Sequence, residues 1–175
     1  MNQEDNKIIF RKAKEIDVFE IMKIINQAQD YLRANNIDQW QNDYPNTETI
    51  LDDVRNDVSY VLLKDDHIIG TIALIFQIEP TYNNIYQGSW LSDKKYMTIH
   101  RIAIDNKYFG SGFASLMMEY AEELGKKNHV FSIRIDTQKD NLQMQKHLLK
   151  NQYILCGLIY LNDNSERLAF EKILD

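Results

Sequence analysis

The sequence predicts a mixed α/β fold of the α+β type, with a mostly antiparallel sheet of six to seven strands flanked by about four helices. Three observations carry this prediction. Short runs rich in β-branched and apolar residues alternate with segments whose apolar residues recur every three or four positions. Brief polar turns separate several neighbouring runs, as they do in antiparallel hairpins. Residues 97–123 have the pattern of a strand, a glycine-containing loop and a long amphipathic helix.

The first half of the chain is predicted to contain three strands and two helices. Asp17 is expected to cap the first helix, with Glu20 three residues later completing a capping box. The polar pair Asp65 and Asp66 is expected to form the turn of a hairpin. The predicted elements are a strand over residues 7–13, helices over residues 17–34 and 47–55, and strands over residues 59–64 and 68–79.

The second half is predicted to alternate strands and helices and to end in a hairpin. A strand over residues 97–104 comes first. The helix after the glycine loop has an apolar face at helical spacing, formed by Phe113, Leu116, Met117, Tyr120 and Leu124. The remaining elements are a strand over residues 130–135, a helix over residues 141–150, and strands over residues 153–161 and 167–173.

Composition limits the classes of function that the chain can serve. Its 175 residues fit one domain, spanning residues 1–175. A formal net charge of −6 disfavours nucleic-acid binding and fits an amine substrate somewhat better. No apolar run approaches the ~20 residues of a membrane span, and the N-terminus lacks a signal-peptide stretch. The single cysteine, Cys156, lies in an apolar run and is expected to be an inert buried thiol. These features predict a cytoplasmic protein that does not bind membranes.

The segment Gly110-Ser111-Gly112 stands directly before the third predicted helix. A helix N-terminus offers unpaired N–H groups and a partial positive charge, and glycines let an anion approach the backbone closely. The segment lacks the GxxxxGK[ST] of nucleotidases and the third glycine of a dinucleotide fingerprint, where Ser115 stands instead. On these residues alone, a phosphate site and a simple turn both remain open.

The order of elements resembles the GNAT superfamily of acyl-CoA N-acyltransferases, over residues 9–172. Three segments carry the likeness: HRIAI with KYFGSGFASLMM, which resembles the cofactor loop; IDTQKDNLQMQKHLLKNQY, which is similar to an asparagine-bearing helix; and IDQWQNDYPN, which is similar to a loop of a bacterial subgroup. The chain departs from the family pattern at three places, one of which is Gln152-Tyr153 where Gly-Phe is usual. Lys107 stands where Arg or Gln is usual, and Leu148 replaces a tyrosine that often protonates the leaving thiolate.

The resemblance implies acetyl-CoA as the acyl-donor co-substrate. The backbone N–H groups of residues 109–114 would hold its pyrophosphate, and an edge of the preceding strand would pair with its pantetheine arm. The cofactor-binding residues expected on this basis are Ile102, Ala103, Ile104, Lys107, Phe109, Gly110, Ser111, Gly112, Phe113, Ala114 and Asn141. Asn141 equally suits the N-cap of its own helix, so both roles remain open.

Acetyl transfer requires a neutral amine, because an alkylammonium group with a pKa of about 10 must first lose a proton. His100 is the preferred base, and on a regular strand it is expected to share a face with Thr98 and Ile102. A structural histidine is the alternative for this residue. Glu79, predicted at the end of the preceding strand, is the second candidate for the catalytic base.

The remaining candidate site residues are aromatic. Tyr160 and Tyr153 are considered as the acid that replaces the missing tyrosine, with protonation by solvent as the alternative. Trp40, Tyr44 and Trp90 are expected to line the acceptor pocket, where flat apolar walls or a cation–π surface suit an amine. Core packing is the alternative for each of these three.

The leading hypothesis is an N-acetyltransferase that acts on a primary amine of a small molecule or peptide by direct attack on the thioester. The alternative is a non-catalytic acyl-CoA-binding or regulatory domain of the same fold, which Leu148 in the tyrosine position favours slightly. No metal is expected, because the four histidines lack metal-ligand spacing. The last hairpin allows a homodimer. The residues do not identify the acceptor.

Overall fold

The computed structural model describes residues 7–174 and contains one seven-stranded sheet with four α-helices packed against it. In chain order the elements are β1 (Ile8–Lys12), α1 (Val18–Ala34), α2 (Thr47–Arg55), β2 (Ser59–Lys64), β3 (His67–Ile75), β4 (Tyr96–Ile104), α3 (Phe113–Lys127), β5 (Ser132–Thr137), α4 (Leu142–Lys150), β6 (Ile154–Tyr160) and β7 (Glu166–Ile173). This architecture confirms the predicted mixed α/β class and the mostly antiparallel sheet.

The strands follow the order β1-β2-β3-β4-β5-β7-β6. Every neighbouring pair is antiparallel except β4 and β5, which run parallel. The parallel pair spans only three residue pairs, from Tyr96–Ser132 to Thr98–Arg134. Beyond this point β4 and β5 separate, although each keeps its antiparallel neighbour on the other side. The sheet is therefore split at its centre over the C-terminal half of both strands.

Helices cover both faces of the sheet. On one face, α1 buries Ile21, Ile24 and Ile25, whose steps of three and four form one apolar stripe, against side chains of β2. On the other face, α3 and α4 pack against the centre of the sheet, through buried side chains that include Met117, Met118, Ala121 and Leu148. These two layers frame the split between β4 and β5 from both sides.

A β-bulge interrupts β4 at Arg101. The pairing with β3 advances three residues along β4 while β3 advances two, and Arg101 takes a φ of +51°, which is uncommon for a long side chain. The bulge reverses the alternation that follows it, so that Ile102 packs in the same hydrophobic cluster as Ile99. The prediction that His100 and Ile102 share a face is therefore wrong.

The predicted capping box at the start of α1 is also wrong. A 3-10 turn, Glu15–Asp17, precedes the helix and directs the Asp17 carboxylate back toward β1. There it accepts hydrogen bonds from Arg11 at 2.7 and 3.1 Å and from the Lys14 backbone N–H at 2.7 Å. The bond from Arg11 lowers the pKa of the Asp17 carboxyl. Glu20 instead pairs with Lys23 at 2.7 Å on the exposed side of α1.

Strand β3 ends four residues earlier than predicted, at Ile75 instead of Glu79. Glu79 is the N-cap of a 3-10 helix, Pro80–Tyr82, and its carboxylate accepts the Thr81 N–H at 3.3 Å. Pro80 has no N–H to offer a neighbouring strand and suits the first position of a helix. Glu79 therefore lies at the N-cap of a short helix and does not belong to a strand.

No helix among residues 7–174 is long and apolar enough to cross a membrane. The same residues contain no group of three or more His, Cys, Asp or Glu side chains arranged to hold a metal ion.

Candidate active site

The split between β4 and β5 opens into a cavity of about 710 Å³. Its walls come from α1 and the loop after it, from β4, from the glycine loop with the start of α3, and from α4 with the loop between β6 and β7. Because β3 and β7 occupy the outer edges of β4 and β5, the separated inner edges are the ones left for a ligand. On β4 the cavity is lined by Ile102, Ala103 and Ile104, as expected for the cofactor strand.

The glycine loop has a conformation that requires glycine. Gly110 and Gly112 have φ angles of +75° and +89°, which residues with a Cβ atom adopt at an energetic cost. A Cβ atom built on either residue meets no heavy atom within 4 Å, so the space over the loop is open. Both glycines line the cavity. The glycines are therefore needed for the backbone path, and they leave room for a ligand close to the chain.

The N–H groups of this loop divide into two sets. Those of Phe109 and Ser111 donate to carbonyl groups inside the loop at 3.2 and 3.1 Å, so they are not available to an anion in this conformation. In the part of the chain that the structure describes, the remaining N–H groups of the predicted set donate to no acceptor, namely those of Gly110, Gly112, Phe113 and Ala114. Among the described residues, the loop therefore has fewer N–H groups free for an anion than the six expected from the sequence.

Three predicted cofactor residues contribute no side chain to the cavity wall: Lys107, Ser111 and Phe113. The Phe113 ring packs edge-on against Tyr108 at 5.6 Å, and Lys107 is exposed. Any contact that these residues make with an anion would come from the backbone or from a moved side chain.

Asn141 occupies the cavity wall and caps α4 at the same time. Its side-chain oxygen accepts the Met144 N–H at 3.1 Å, which is the N-cap role that the sequence left open. Its amide nitrogen donates to Gln39 Oε1 at 3.1 Å. Since an amide nitrogen carries two hydrogens, one remains for a ligand in the cavity.

His100 and Glu79, the two candidate bases, are in direct contact. The distance from His100 Nε2 to Glu79 Oε2 is 3.1 Å, and about a fifth of each side chain is exposed. His100 lines the cavity, whereas Glu79 lies behind it and also accepts a hydrogen bond from the Thr81 hydroxyl at 2.9 Å. The sequence placed these residues 21 positions apart in two elements, and the fold brings them together as one pair.

The contact separates the roles of the two residues. The hydrogen bond from His100 lowers the pKa of the Glu79 carboxyl to about 2, with Thr81 as a further donor and burial opposing both. A carboxylate with such a low pKa is a weak base at neutral pH. Because a carboxylate only accepts hydrogen bonds, Nε2 carries the hydrogen when the His100 ring is neutral, and the lone pair is then on Nδ1. The arrangement favours His100 as the proton acceptor and Glu79 as the residue that orients it.

We call residues 35–46 the acceptor loop. Trp40 and Tyr44 of this loop line the cavity, and their role in binding the acceptor stays a prediction. Gln39, which the sequence did not single out, connects the loop to the segment between β5 and α4. Its Oε1 atom accepts from the Thr137 hydroxyl and the Gln138 N–H at 3.4 Å each, besides Asn141. The acceptor loop is therefore held across the cavity by side chains from distant parts of the chain.

Arg101 at the bulge holds the other end of the acceptor loop. Its guanidinium forms two hydrogen bonds with Asp53 of α2, at 2.6 and 2.8 Å, and donates to the Tyr44 hydroxyl at 2.8 Å. The side chains of Arg101 and Asp53 are each only 11% exposed. A two-pronged Arg–carboxylate pair has a defined geometry, so it fixes both the bulge and the position of Tyr44.

The structure does not bring Tyr160, Trp90 or Tyr153 to the cavity. Tyr160 lies on the exposed face of β6 and donates to Glu166 at 3.2 Å. Trp90 packs in a separate cluster and donates its indole N–H to the Tyr82 carbonyl at 2.9 Å. Tyr153 is buried in the core, where burial raises the pKa of its hydroxyl. None of the three is placed to act on a ligand in this cavity.

Several residues that line the cavity were not selected from the sequence. Asp136 at the end of β5 and Arg167 in β7 belong to this group, and nothing local distinguishes either residue from a surface charge. His147 is the third, and it stands one position before Leu148, the residue in the family's tyrosine position. Leu148 itself is fully buried in the core. Burial lowers the pKa of His147, with the charge of Lys150 adding to the effect.

Comparisons with known proteins agree with this geometry. A model of the acetyltransferase (GNAT) family matches residues 22–150. A GNAT-family acetyltransferase structure from Streptococcus agalactiae is 34% identical, with a TM-score of 0.88 and 96% of each chain covered. The PaiA N-acetyltransferase from Thermoplasma acidophilum, solved in complex with coenzyme A, has the same fold at 15% identity, with a TM-score of 0.73 and coverage of 95% of this chain and 99% of that one.

A curated relative is the S-alkylcysteine N-acetyltransferase of Bacillus subtilis, which is 28% identical over 115 residues. The match takes in 66% of this chain and spans 59% of the relative's length. The family model covers more than half of the chain, and the streptococcal structure matches it almost from end to end. With its divided central sheet and the glycine loop at the start of α3, this protein belongs to the GNAT acetyltransferase family.

Proposed function

We propose that this protein is an N-acetyltransferase that transfers the acetyl group of acetyl-CoA to a primary amine of a small molecule or peptide. One observation carries the proposal: a single cavity is lined both by a backbone site suited to acetyl-CoA and by His100, which Glu79 contacts from outside the lining. The similar S-alkylcysteine N-acetyltransferase, by its name, acts on a small molecule, which supports a small-molecule acceptor.

The donor side of the cavity fits acetyl-CoA, which supplies an acetyl group activated as a thioester. The unpaired N–H groups of Gly110, Gly112, Phe113 and Ala114 would hold the pyrophosphate at the start of α3. The free inner edge of β4, at residues 102–104, would pair with the amides of the pantetheine arm as a neighbouring strand does. The coenzyme A bound in the T. acidophilum protein of the same fold supports this assignment.

On the acceptor side, His100 would take the proton from the acceptor amine while Glu79 holds the imidazole in place and balances its charge. The amine nitrogen then attacks the thioester carbonyl carbon. The new C–N bond forms as the C–S bond breaks, and coenzyme A leaves as its thiolate. Trp40 and Tyr44 would form the wall against which the acceptor lies.

The thiolate needs a proton, and Leu148 stands where many family members carry a tyrosine. Leu148 is buried and has no proton to give. We propose that solvent protonates the thiolate, because a free thiol has a pKa of about 8.5 and is a tolerable leaving group without an acid.

The test is a thermal unfolding series with acetyl-CoA, followed by a screen of primary amines for coenzyme A release. A rise in melting temperature that grows with ligand concentration, together with release, is the expected result. A rise without release for any amine would favour the alternative, a non-catalytic acyl-CoA-binding or regulatory domain, to which the buried Leu148 lends some support. No rise at millimolar acetyl-CoA would overturn both.

We further propose a single catalytic domain in the cytoplasm that pairs as a homodimer. The chain has a single cysteine, Cys156, which is buried and has no second cysteine to pair with, as suits a compartment where thiols stay reduced. The edge strand β6 exposes Ile154 and Leu155, each by about half, so it offers an apolar surface to a second copy. Analytical ultracentrifugation of the full chain tests the dimer, and a single monomer boundary at micromolar concentration would contradict it.

A further inference from the structure

Arg167 of β7 is a charged cavity residue that the proposed reaction does not yet use. Its side chain is only 11% exposed, although it lines the cavity. Among the described residues, it donates one hydrogen bond, to the Glu166 carbonyl at 3.0 Å. The nearest carboxylate is that of Asp136, whose Oδ2 atom is 4.0 Å from Arg167 Nε, beyond hydrogen-bond distance. A guanidinium carries five N–H donors, so most of its donor capacity is unused.

Without a ligand, a largely buried guanidinium with few hydrogen-bond partners lowers the stability of the fold. A buried charge loses its hydration, and its hydrogen-bonding groups recover that loss only when they find partners. Arg101, in the same cavity, shows the satisfied case: three of its N–H donors are bonded to Asp53 and Tyr44. Arg167 thus differs from Arg101: it also lines the cavity, but most of its donors have no partner among the described residues. A planar carboxylate matches the guanidinium fork with two parallel hydrogen bonds.

Arg167 is linked to the proposed base, His100, through Asp136 and Tyr82. Asp136 accepts a hydrogen bond from the Tyr82 hydroxyl at 2.6 Å, and the Tyr82 ring is 6.3 Å from the imidazole of His100, centroid to centroid. Tyr82 is buried, so its hydrogen bond holds the Asp136 carboxylate in a defined position. This wall of the cavity therefore carries the positive charge of Arg167, the carboxylate of Asp136 and the imidazole of His100. A ligand that complements it carries a carboxylate close to an ammonium group.

We propose that the acceptor is a free α-amino acid with an uncharged side chain, whose carboxylate binds Arg167 and whose amine lies toward Asp136 and His100. This inference rests on the proposed function and specifies its acceptor. In an α-amino acid one carbon atom separates the two charged groups, which matches the spacing of an ion pair such as Arg167–Asp136. Trp40, Tyr44 and Leu161 supply the apolar wall for the side chain.

The test compares acceptors that differ only at the carboxylate. L-methionine is assayed beside L-methionine methyl ester and 3-(methylthio)propylamine, and L-phenylalanine beside its methyl ester and phenethylamine, each by coenzyme A release with acetyl-CoA. The free acids are expected to have a kcat/KM at least about tenfold above their partners, because the unpaired arginine rejects ligands without a carboxylate. The esters have the more easily deprotonated amines, so amine basicity would produce the opposite order.

Arg167→Gln and Arg167→Lys extend the test to the residue. R167Q is expected to raise KM for the free acids by about tenfold or more and to leave KM for the esters within about twofold. R167K keeps the charge but loses the fork, and an intermediate KM is expected. Arg55→Gln, which replaces an exposed arginine of α2, is the matched control. The acetyl-CoA-induced shift in melting temperature shows whether each variant is folded.

The outcomes separate this inference from the proposed function. Esters or decarboxylated amines that react as well as the acids in the wild type would overturn the α-amino acid assignment and leave acetyl transfer standing. That comparison needs no variant, so it holds even if R167Q does not fold. Release with none of these acceptors, but with another amine in the wider screen, would overturn the assignment alone. No release with any amine would overturn the proposed function and the assignment with it.

Discussion

The two sides of the cavity are built on different principles. The donor side consists of backbone groups from one continuous stretch, the edge of β4 and the glycine loop at the start of α3. The acceptor side consists of side chains from β4, β5, β7 and two loops, joined by buried ion pairs and hydrogen bonds. The donor side is open and lightly bonded. On the acceptor side, the Arg101–Asp53 and His100–Glu79 pairs are largely buried and directly bonded.

This difference has consequences for mutation. A backbone site depends on chain conformation, so most side-chain changes there are tolerated and glycine replacements are not. A side-chain network depends on each member, because removal of one partner leaves another buried and unsatisfied. We therefore expect acceptor-side variants to lose turnover or stability while acetyl-CoA binding persists. Donor-side variants should weaken acetyl-CoA binding while turnover at saturating acetyl-CoA persists.

The largest effect is expected for His100→Gln. Loss of the general base should lower kcat by about 100- to 1,000-fold, since glutamine does not take up a proton at neutral pH. The Kd for acetyl-CoA, measured by calorimetry, should change by less than about threefold if the two sides are separate. His67→Gln, at the exposed first residue of β3, is the matched control. A kcat that survives H100Q at all pH values from 6 to 9 would remove His100 as the base.

Asp53→Asn should lower the free energy of unfolding by about 3 kcal/mol, because it leaves the buried Arg101 guanidinium without its carboxylate. The acceptor loop should lose its anchor at Tyr44, so KM for the acceptor should rise while the Kd for acetyl-CoA stays constant. Urea unfolding and steady-state kinetics measure the two effects. Asp52→Asn, one position earlier and exposed, is the control. Equal stability losses in D52N and D53N would contradict the assigned role of the pair.

Glu79→Gln should change how stability depends on pH. The folded-state pKa of Glu79, about 2, lies below the ordinary value of 4.5. Its stabilising contribution is therefore fully present above pH 4.5 and is lost as the pH falls toward 2. We expect E79Q to be less stable than wild type by about 2 kcal/mol at pH 6 and the difference to shrink by pH 3. Urea unfolding at both values measures it. A constant difference would mean that Glu79 is not held as a carboxylate.

The smallest effect is expected for Gly112→Ala. A φ of +89° strains any residue with a Cβ atom, so the loop should shift and acetyl-CoA affinity should fall about tenfold. The kcat at saturating acetyl-CoA should change by less than about twofold. Lys107→Ala serves as the side-chain comparison, since Lys107 does not line the cavity, and it should change affinity by less than about threefold. A greater loss in K107A than in G112A would reverse the assignment of the donor side to backbone groups.

The fold was largely predictable because its signals are local. Apolar spacing predicts α1 and α2 within one residue of their observed bounds and the start of α3 after Gly112, and the Asp65-Asp66 turn predicts the observed hairpin. The sequence-based predictions are wrong where a contact with a distant or neighbouring side chain overrides the local pattern. Arg11 drew Asp17 away from its capping box, and the bulge at Arg101 reversed the faces that follow it. Neither event leaves a pattern in the neighbouring residues.

The sequence by itself determined the class of fold, the strand–glycine loop–helix unit and the resemblance that named the donor, because each depends on residues close together in the chain. Only the tertiary structure decided the acceptor side. It paired His100 with Glu79, removed Tyr160 and Trp90 from the site, and brought Tyr82, Asp136 and Arg167 together. These contacts join residues that are 21 to 54 positions apart, and a single side chain carries no record of the partner that the fold will give it.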